Sequence, residues 1–329
     1  MKIAIVSASG EKYGGGIYEK MVKEVLLNSF DIESINVVMK SNNKFKYFKI
    51  PLSLLNLWKI SKRKDFDFII KNFDTSLFLN KRPVRNIAII HHIDYSYAPL
   101  FLKYIYPLFE KIIFHNLKKF DAVVTVSRYW EKYFKEKGYE NVYKIYNGFD
   151  LSSFDIPGQE VLEFRKNFNL LGKPIIYMGN CLRAKGVVES YSVLKDLDVY
   201  LITSGKGRVK IPAINLEIGY RDYLKLLKAS SIVVAMSQFK EGWCRVAHEA
   251  MLLKTPVIGS GLGGMRELLE GGKQMICEEF SQLNGKVKYL LDHSEIKKKM
   301  AEDGYNFAKD FTLERFGKEW FNLIKRLSI

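Results

Sequence analysis

Short apolar strands alternate with helical patterns along this chain, and that alternation restricts it to parallel α/β architecture. KIAIVS (2–7), SINVVM (34–39), DFIIKN (67–72), NIAIIHH (86–92), DAVVTVS (121–127) and VYKIYN (142–147) predict a first series of strands. Helical stretches such as Ile17–Asn28 and Leu100–Lys119 lie between them. A polar stretch, SSFDIPGQE (152–160), precedes a second series: PIIYMG (174–179), DVYLITSG (198–205), NLEIG (215–219), SIVVAMS (231–237) and TPVIGS (255–260). Two α/β units joined near residues 150–172 suit a chain of 329 residues, since single cores stop growing below that length. The expected division is 1–155 and 156–312, with a terminal helical segment, 313–329, free to pack anywhere, including back across the first unit.

In an open parallel sheet, ligands gather at the carboxyl ends of the strands, so the residues just after each strand are the candidates for chemistry. After the first strand, Gly14, Gly15 and Gly16 open a helix, where the backbone can approach a ligand and amides favour anionic oxygens. The alternative there is a flexible turn. After the fourth, HHIDYSY places His91, His92 and Asp94 at a ligand-facing edge. Adjacent strand residues point opposite ways, so one histidine at most faces a cleft, and a hydrogen-bonded structural histidine is the alternative. No third ligand clusters with them, so no metal site is expected. Ser127 caps a helix running from about Arg128 to Lys137, and YNGFD (146–150) reads as a turn.

In the second series, MGNCLRAKG (178–186) follows a strand and carries Arg183 and Lys185. Cations there suit phosphates, or else decorate a solvated loop. SGKGRVK (204–210) has a weaker claim. Then comes QFKEGWCRVAHEAMLLKTP (238–256), which predicts a loop holding Glu241 and a helix from about Cys244 to Leu252–Lys254. Val246, Ala247, Ala250 and Met251 form its buried face. Glu249 sits about one and a half turns in, so both carboxylates can address one ligand lying across the helix start.

The next residues, GSGLGG (259–264), fit G-x-G-x-x-G, the dinucleotide fingerprint, and Glu278 follows near where a ribose-binding acid is expected. An NAD(P)-binding oxidoreductase is therefore an alternative reading. Against it, the helix between the glycines and QMIC (274–277) has room for about two turns, short for a crossover.

Composition adds a net charge of +16, weighted toward the first 150 residues. Between Lys40 and Lys64 stand eight basic residues and no acid, interleaved with aromatics and leucines. This is a solvated basic face or a surface for anionic lipid. No nucleic-acid recognition module is visible. No apolar run reaches the length of a membrane span, MKIAIVS reads as a buried strand rather than a signal peptide, and three scattered cysteines suit a reduced interior.

In their order and spacing these stretches resemble a retaining glycosyltransferase of the GT-B type, family 4. The GGG loop is similar to that family's glycine-rich loop, and HHID to its His-containing strand end. VTVSRYWEKYF with YNGFD resembles its "VS…NGVD" passage, and GNCLRAKG its "GR…KG" loop. EGWCRVAHEAMLLKTPVIGSGLGG resembles "EG…EAMA.G.PV", the most specific element. The resemblance covers nearly the whole chain.

It implies two Rossmann-like domains facing a central cleft, the first for acceptor and the second for a nucleotide-sugar donor. Glu249 would bond the ribose hydroxyls, Glu241 would lie by the sugar or the reacting carbon, and Lys185 would neutralise the departing diphosphate. Helix-start groups of Gly242, Trp243, Cys244, Arg245 and Val246, with Gly15 and Gly16, would add donors. His91 or His92 would lie by the sugar or the acceptor. No metal and no cofactor are implied, the nucleotide-diphosphate sugar being substrate. Taken with the basic, aromatic segment 40–64 and the scattered cysteines, a glycan or lipid-linked sugar acceptor and a cytoplasmic location, peripheral on the inner face of an anionic membrane, are expected. One departure stands out: the family has arginine where this chain has Asn180. Arg183 is the candidate replacement, and a non-catalytic nucleotide-sugar-binding subunit is the alternative.

Overall fold

Parallel strands buried on both faces read as near-continuous apolar runs, and the first of these runs is β1 (Lys2–Ser7), whose Ile3, Ala4, Ile5 and Val6 are all buried. The computed structural model describes residues 1–7, 14–37, 49–93 and 106–329. β1 is joined by β2 (Asp31–Asn36), β3 (Phe68–Asn72), β4 (Arg85–Ile90), β5 (Ala122–Thr125) and β6 (Val142–Lys144). They form one sheet of order β2-β1-β3-β4-β5-β6, every neighbouring pair parallel.

Ala4 and Val6 of β1 project to the same face as Ile69 of β3 and as Ala88 and Ile90 of β4. On that face they pack with α2 (Lys49–Ser61), α3 (Tyr106–Leu117) and α4 (Arg128–Glu136), through Leu57, Ile60, Ile113, Leu117 and Phe134. Ser127 caps α4, its Oγ accepting from the Trp130 amide at 3.4 Å. α1 (Gly14–Leu27) packs against the last helix, α12 (Leu313–Ser328). Tyr18 of α1 meets Phe316 edge-on with centroids 5.0 Å apart, accepts from Trp320 Nε1 at 3.3 Å, and donates to the Ile145 carbonyl at 2.9 Å. The first compact unit is therefore residues 1–148 together with 314–329.

A buried lysine in this unit is shifted far from its ordinary value. Lys71, on the helix-covered face of β3, is 1% exposed and donates to the Phe78 carbonyl at 2.5 Å and Asn80 Oδ1 at 2.8 Å. Burial pushes its pKa down to about 7. Between there and the ordinary lysine value the unfolded chain holds the extra proton, so stability rises with pH and is lost as pH falls through 7. The expected slope is at most about 1.4 kcal/mol per pH unit. Melting curves at several pH values on wild type and Lys71→Met check it: the difference in slope should follow the lysine, and parallel profiles would refute it.

The second unit, Phe149–Leu313, repeats the plan. Its strands are β7 (Ile175–Asn180), β8 (Tyr200–Ser204), β9 (Ile214–Leu216), β10 (Ile232–Ala235), β11 (Val257–Gly259) and β12 (Met275–Ile276), in the order β12-β11-β10-β7-β8-β9, all parallel. Its helices are α5 (Gly158–Asn167), α6 (Val187–Leu194), α7 (Tyr220–Ala229), α8 (Arg245–Leu252), α9 (Met265–Gly271), α10 (Phe280–Asp292) and α11 (Ser294–Ala308). Ile176, Val187, Leu194, Val234, Ile258, Leu283 and Val287 share one core cluster. Both units are thus Rossmann-like.

The stretch 150–172, expected as a joint, holds structure of its own. Asp150 caps a 3-10 turn, Leu151–Phe154, and α5 follows Pro157 directly. Arg221 and Lys228 of α7 tie this segment down by donating to the carbonyls of Ser153, Asp155 and Ile156 and to Glu160. Composition alone could not reveal those distant partners.

Candidate functional site

The chain order reverses between β7 and its neighbour β10: one series runs outward through β8 and β9, the other through β11 and β12. Such a reversal leaves a crevice beyond the strand ends, the usual ligand position in an open α/β sheet. The loops that follow β7 and β10 carry Lys185 and Glu241.

Glu241 is 6% exposed, and its Oε1 accepts from Lys185 Nζ and from Ser237 Oγ, each at 2.5 Å. Lys185 ends a single 3-10 turn, Arg183–Lys185, closed by Gly186 at φ +68°. A Cβ at Gly186 would stand 2.2 Å from the Met236 carbonyl oxygen, so this approach of the turn to the segment after β10 requires glycine. The Lys185 ammonium lies 4.8 Å from the Phe239 ring centroid, and 26% of its side chain remains accessible to an incoming anion.

Glu249, in the second turn of α8, is 4% exposed and is held by three donors. Its Oε1 accepts from Tyr220 OH and Arg245 Nη2, each at 3.2 Å, and its Oε2 from Tyr223 OH at 3.0 Å. The two tyrosines stand three residues apart in the first turn of α7, with rings stacked at 6.0 Å. Burial, and then the Glu249 charge, push both phenols well up, so they act as donors. The Arg245 guanidinium lies 4.5 Å from the centroid of the Phe149 ring.

Cys244 links these two clusters. It precedes α8 at φ +66°, a conformation that is strained for any side chain and recurs at functional sites. Burial pushes its thiol up to about 12, with Glu241 adding to the shift and Lys185 opposing it. The thiol thus stays protonated and is no nucleophile.

Trp243 also faces inward, 3% exposed, its Nε1 donating to His248 Nδ1 at 3.1 Å. That bond leaves Nε2 of His248 to donate to the Ala308 carbonyl at 3.1 Å, with the ring stacked 4.0 Å from Phe149. Burial pushes His248 down to about 3, so the imidazole is neutral. The side chains of Trp243 and Cys244 are therefore both committed to the interior of the unit. Gly242 is buried beside them, and Val246, in the first turn of α8, is half-buried.

Asn180 is the exposed last residue of β7, and its Oδ1 accepts from Ser204 Oγ at 3.3 Å. Arg183 is mostly exposed, with Nη2 3.8 Å from Glu189 Oε1. The loop after β8 is clamped alongside: the Cys181 amide donates to the Ser204 carbonyl at 2.9 Å, and the Arg208 amide to the Cys181 carbonyl at 3.0 Å. Lys206 and Arg208 thus lie on a loop fastened next to Asn180, although its sequence carried the weaker claim.

The glycine run has a packing explanation. A Cβ at Gly259 would meet Leu269 and Met265 within 2.9 Å, so this glycine lets α9 close on β11. Gly263 lies on the Glu241 backbone, where the Glu241 amide donates to the Leu262 carbonyl at 3.2 Å and the Gly264 amide to the Glu241 carbonyl at 2.8 Å. Glu278 pairs with Arg266 at 2.5 Å. α9 has only seven residues. Of the fingerprint glycines, Gly259 seats α9 and Gly264 bonds the Glu241 backbone, while Gly263, between the fingerprint positions, lies directly on the Glu241 loop.

In the first unit, β4 ends at Ile90, so His91 and His92 follow the strand. His91 is half-buried, edge-on to Tyr18 with centroids 5.0 Å apart, and a Cβ at Gly15 would stand 3.2 Å from its ring. His91 and Gly15 therefore come together, with Gly16 buried one residue on, whereas His92 is exposed. Asp94 lies outside the described residues. Tyr220, Tyr223 and Ser237 escaped the sequence reading. Their signal was faint: two tyrosines at i, i+3 in GYRDY, and a serine ending a strand run.

The model of the family described as glycosyl transferases group 1 matches residues 159–307, and that described as glycosyltransferase family 4 matches residues 24–153. An uncharacterized glycosyltransferase of Methanocaldococcus jannaschii is 25% identical over 341 aligned positions, 92% of each chain. The processive diacylglycerol alpha-glucosyltransferase of Acholeplasma laidlawii is 24% identical over 87% of each chain. Among solved structures, Anabaena HepE, crystallised with UDP and glucose, matches with a TM-score of 0.76 at 15% identity, over 99% of this chain and all of that one.

Proposed function

This chain belongs to the group 1 glycosyltransferases of GT-B fold, and from that premise we propose that it moves a sugar from a nucleotide diphosphate to a glycan or lipid-linked acceptor, with retention and without a metal. The observation that carries the reading is the pairing of two clusters about the start of α8, Lys185–Glu241–Ser237 and Tyr220–Tyr223–Arg245–Glu249. The first joins a cation that can turn to an anion with a carboxylate that can accept from sugar hydroxyls. The second holds a buried carboxylate beside the start of α8, which supports a ribose-binding role for Glu249.

In the proposed mechanism Lys185 and the α8 amides hold the diphosphate, which gains charge as the bond to the sugar breaks. Fixed donors act most strongly on charge that develops in the transition state. Glu249 orients the nucleoside, and Glu241 releases Lys185 and takes the sugar. His91, backed by Gly15 and Tyr18, is assigned to the sugar or acceptor. This supply of cationic and amide donors supports metal independence. The names of the diacylglycerol glucosyltransferase and of the UDP- and glucose-bound HepE support a UDP-sugar donor and a lipid or glycan acceptor. A cytoplasmic enzyme peripheral to the membrane is proposed accordingly.

A melting screen against UDP-, GDP-, ADP-, CMP- and dTDP-sugars tests the reading. At a hundredfold excess over its Kd the true donor should add about 2.7 kcal/mol. Glu249→Ala should abolish that shift. Transfer measured in the presence of a chelator should persist, and its loss would remove metal independence. Binding without turnover on any acceptor would favour the non-catalytic subunit that Asn180 suggests. Tight binding of NAD(P) in place of a sugar nucleotide would overturn the reading altogether.

A further inference from the structure

We infer that the outer face of α2, with α3 beside it, is a seat for an anionic lipid bilayer. α2 is apolar on two sides. Leu57 and Ile60 point into the core, while Leu52, Leu55 and Trp58, spaced three residues apart along one stripe, are 40%, 45% and 48% exposed. Single exposed apolar residues need no explanation, but these three share one stripe, end in a tryptophan and lie outside the buried core of the described residues.

Lysines stand where such a stripe would meet lipid headgroups. Lys59 is exposed beside Trp58, and the Lys62 ammonium lies 5.3 Å from the Trp58 ring centroid. An apolar stripe bordered by lysine and tryptophan is the composition of a helix lying in the membrane interface. The acids at this end of the helix, Glu33 and Asp65, are engaged by Arg63, which contacts them at 2.7 and 2.6 Å. α3 covers the same sheet face, and its Leu108 and Ile112 are 60% and 40% exposed, with Lys111 exposed between them.

The thirteen residues of α2 span about 20 Å, enough to lie along a headgroup layer. Among the described residues no helix is long and apolar enough to cross a membrane. A bilayer fits better than nucleic acid, because a polyanion would meet the lysines and leave the leucines and tryptophan without apolar partners. This surface is independent of the donor site.

Trp58 supplies its own reporter, since Trp130, Trp243 and Trp320 are at most 3% exposed. The full chain is mixed with phosphatidylcholine vesicles, with or without roughly one third phosphatidylglycerol, and followed by co-sedimentation and tryptophan emission. Anionic vesicles should sediment the protein and shift the emission to the blue, and Trp58→Phe should lose the shift. L52E/L55E should weaken partition about tenfold or more. Lys59→Glu with Lys62→Glu should weaken it on anionic vesicles alone, and more so at low salt. These positions are surface-exposed, so unchanged melting temperatures should accompany the losses. Equal partition of L52E/L55E and wild type would overturn the inference, as would an emission unchanged by vesicles. Salt-sensitive binding of duplex DNA in place of vesicles would reassign the face to nucleic acid.

Discussion

Lys185→Ala is expected to slow sugar transfer about 100- to 1000-fold, as loss of one preorganised donor to a developing charge does elsewhere. That corresponds to about 3–4 kcal/mol in the transition state. The same substitution takes one donor from the buried Glu241 carboxylate, which retains Ser237 Oγ. The accompanying stability cost should be about 1–3 kcal/mol, a modest fall in melting temperature. Rate and stability therefore separate: turnover measured well below the melting temperature should still show the full loss. Arg183→Ala is the control. Its side chain is 71% exposed and only loosely paired with Glu189, so its removal should change turnover by about threefold or less. If Arg183→Ala were the more damaging, the charge on the leaving group would belong to Arg183.

Sequence made the βα alternation legible because parallel strands bury both faces, so Ile3–Val6 and Ile87–Ile90 read as unbroken apolar runs. The reading slipped on β2, expected over 34–39 and observed at Asp31–Asn36. β2 is an edge strand with mixed burial, so its register is fixed by pairing with β1 rather than by its own pattern. α2 was hidden by Pro51, which falls in the first turn, where a missing amide costs nothing. Much of the basic run before it, residues 40–48, lies outside the described residues.

The site divides in the same way. Lys185, Glu241 and Glu249 were visible because each has a fixed place after a strand or within a helix. Tyr220 and Tyr223 were not, because their meaning depends on α7 docking beside α8, a contact between residues 26 to 29 positions apart. The glycine run shows the converse, a local pattern whose letters suggested one ligand while tertiary contacts gave it another purpose.

That purpose makes Gly263→Ala a strongly disruptive small substitution in the second unit. Gly263 has φ +67°, where a β-carbon alone costs about 1–2 kcal/mol. The added carbon would stand 2.6, 2.8 and 2.9 Å from three backbone atoms, the Glu241 oxygen, the Lys240 carbonyl carbon and the Glu241 nitrogen. Backbone cannot rotate away as a side chain does, so overpacking should add about 1–3 kcal/mol. The contact is broken by moving one strand-end loop off the other, and the loop that moves carries Glu241. Glu241 Oε1 would then leave the reach of Lys185 Nζ, now at 2.5 Å. The expected result is a total loss of about 2–5 kcal/mol, with turnover falling as far as in Lys185→Ala. Gly285→Ala sets the baseline, since a β-carbon there meets nothing within 4 Å and the residue lies inside α10. It should be neutral or stabilising by up to about 1 kcal/mol. Equal melting temperatures and equal activity in Gly263→Ala and Gly285→Ala would mean that the glycine run does not hold the Glu241 loop, and the dinucleotide reading of GSGLGG would have to be reopened.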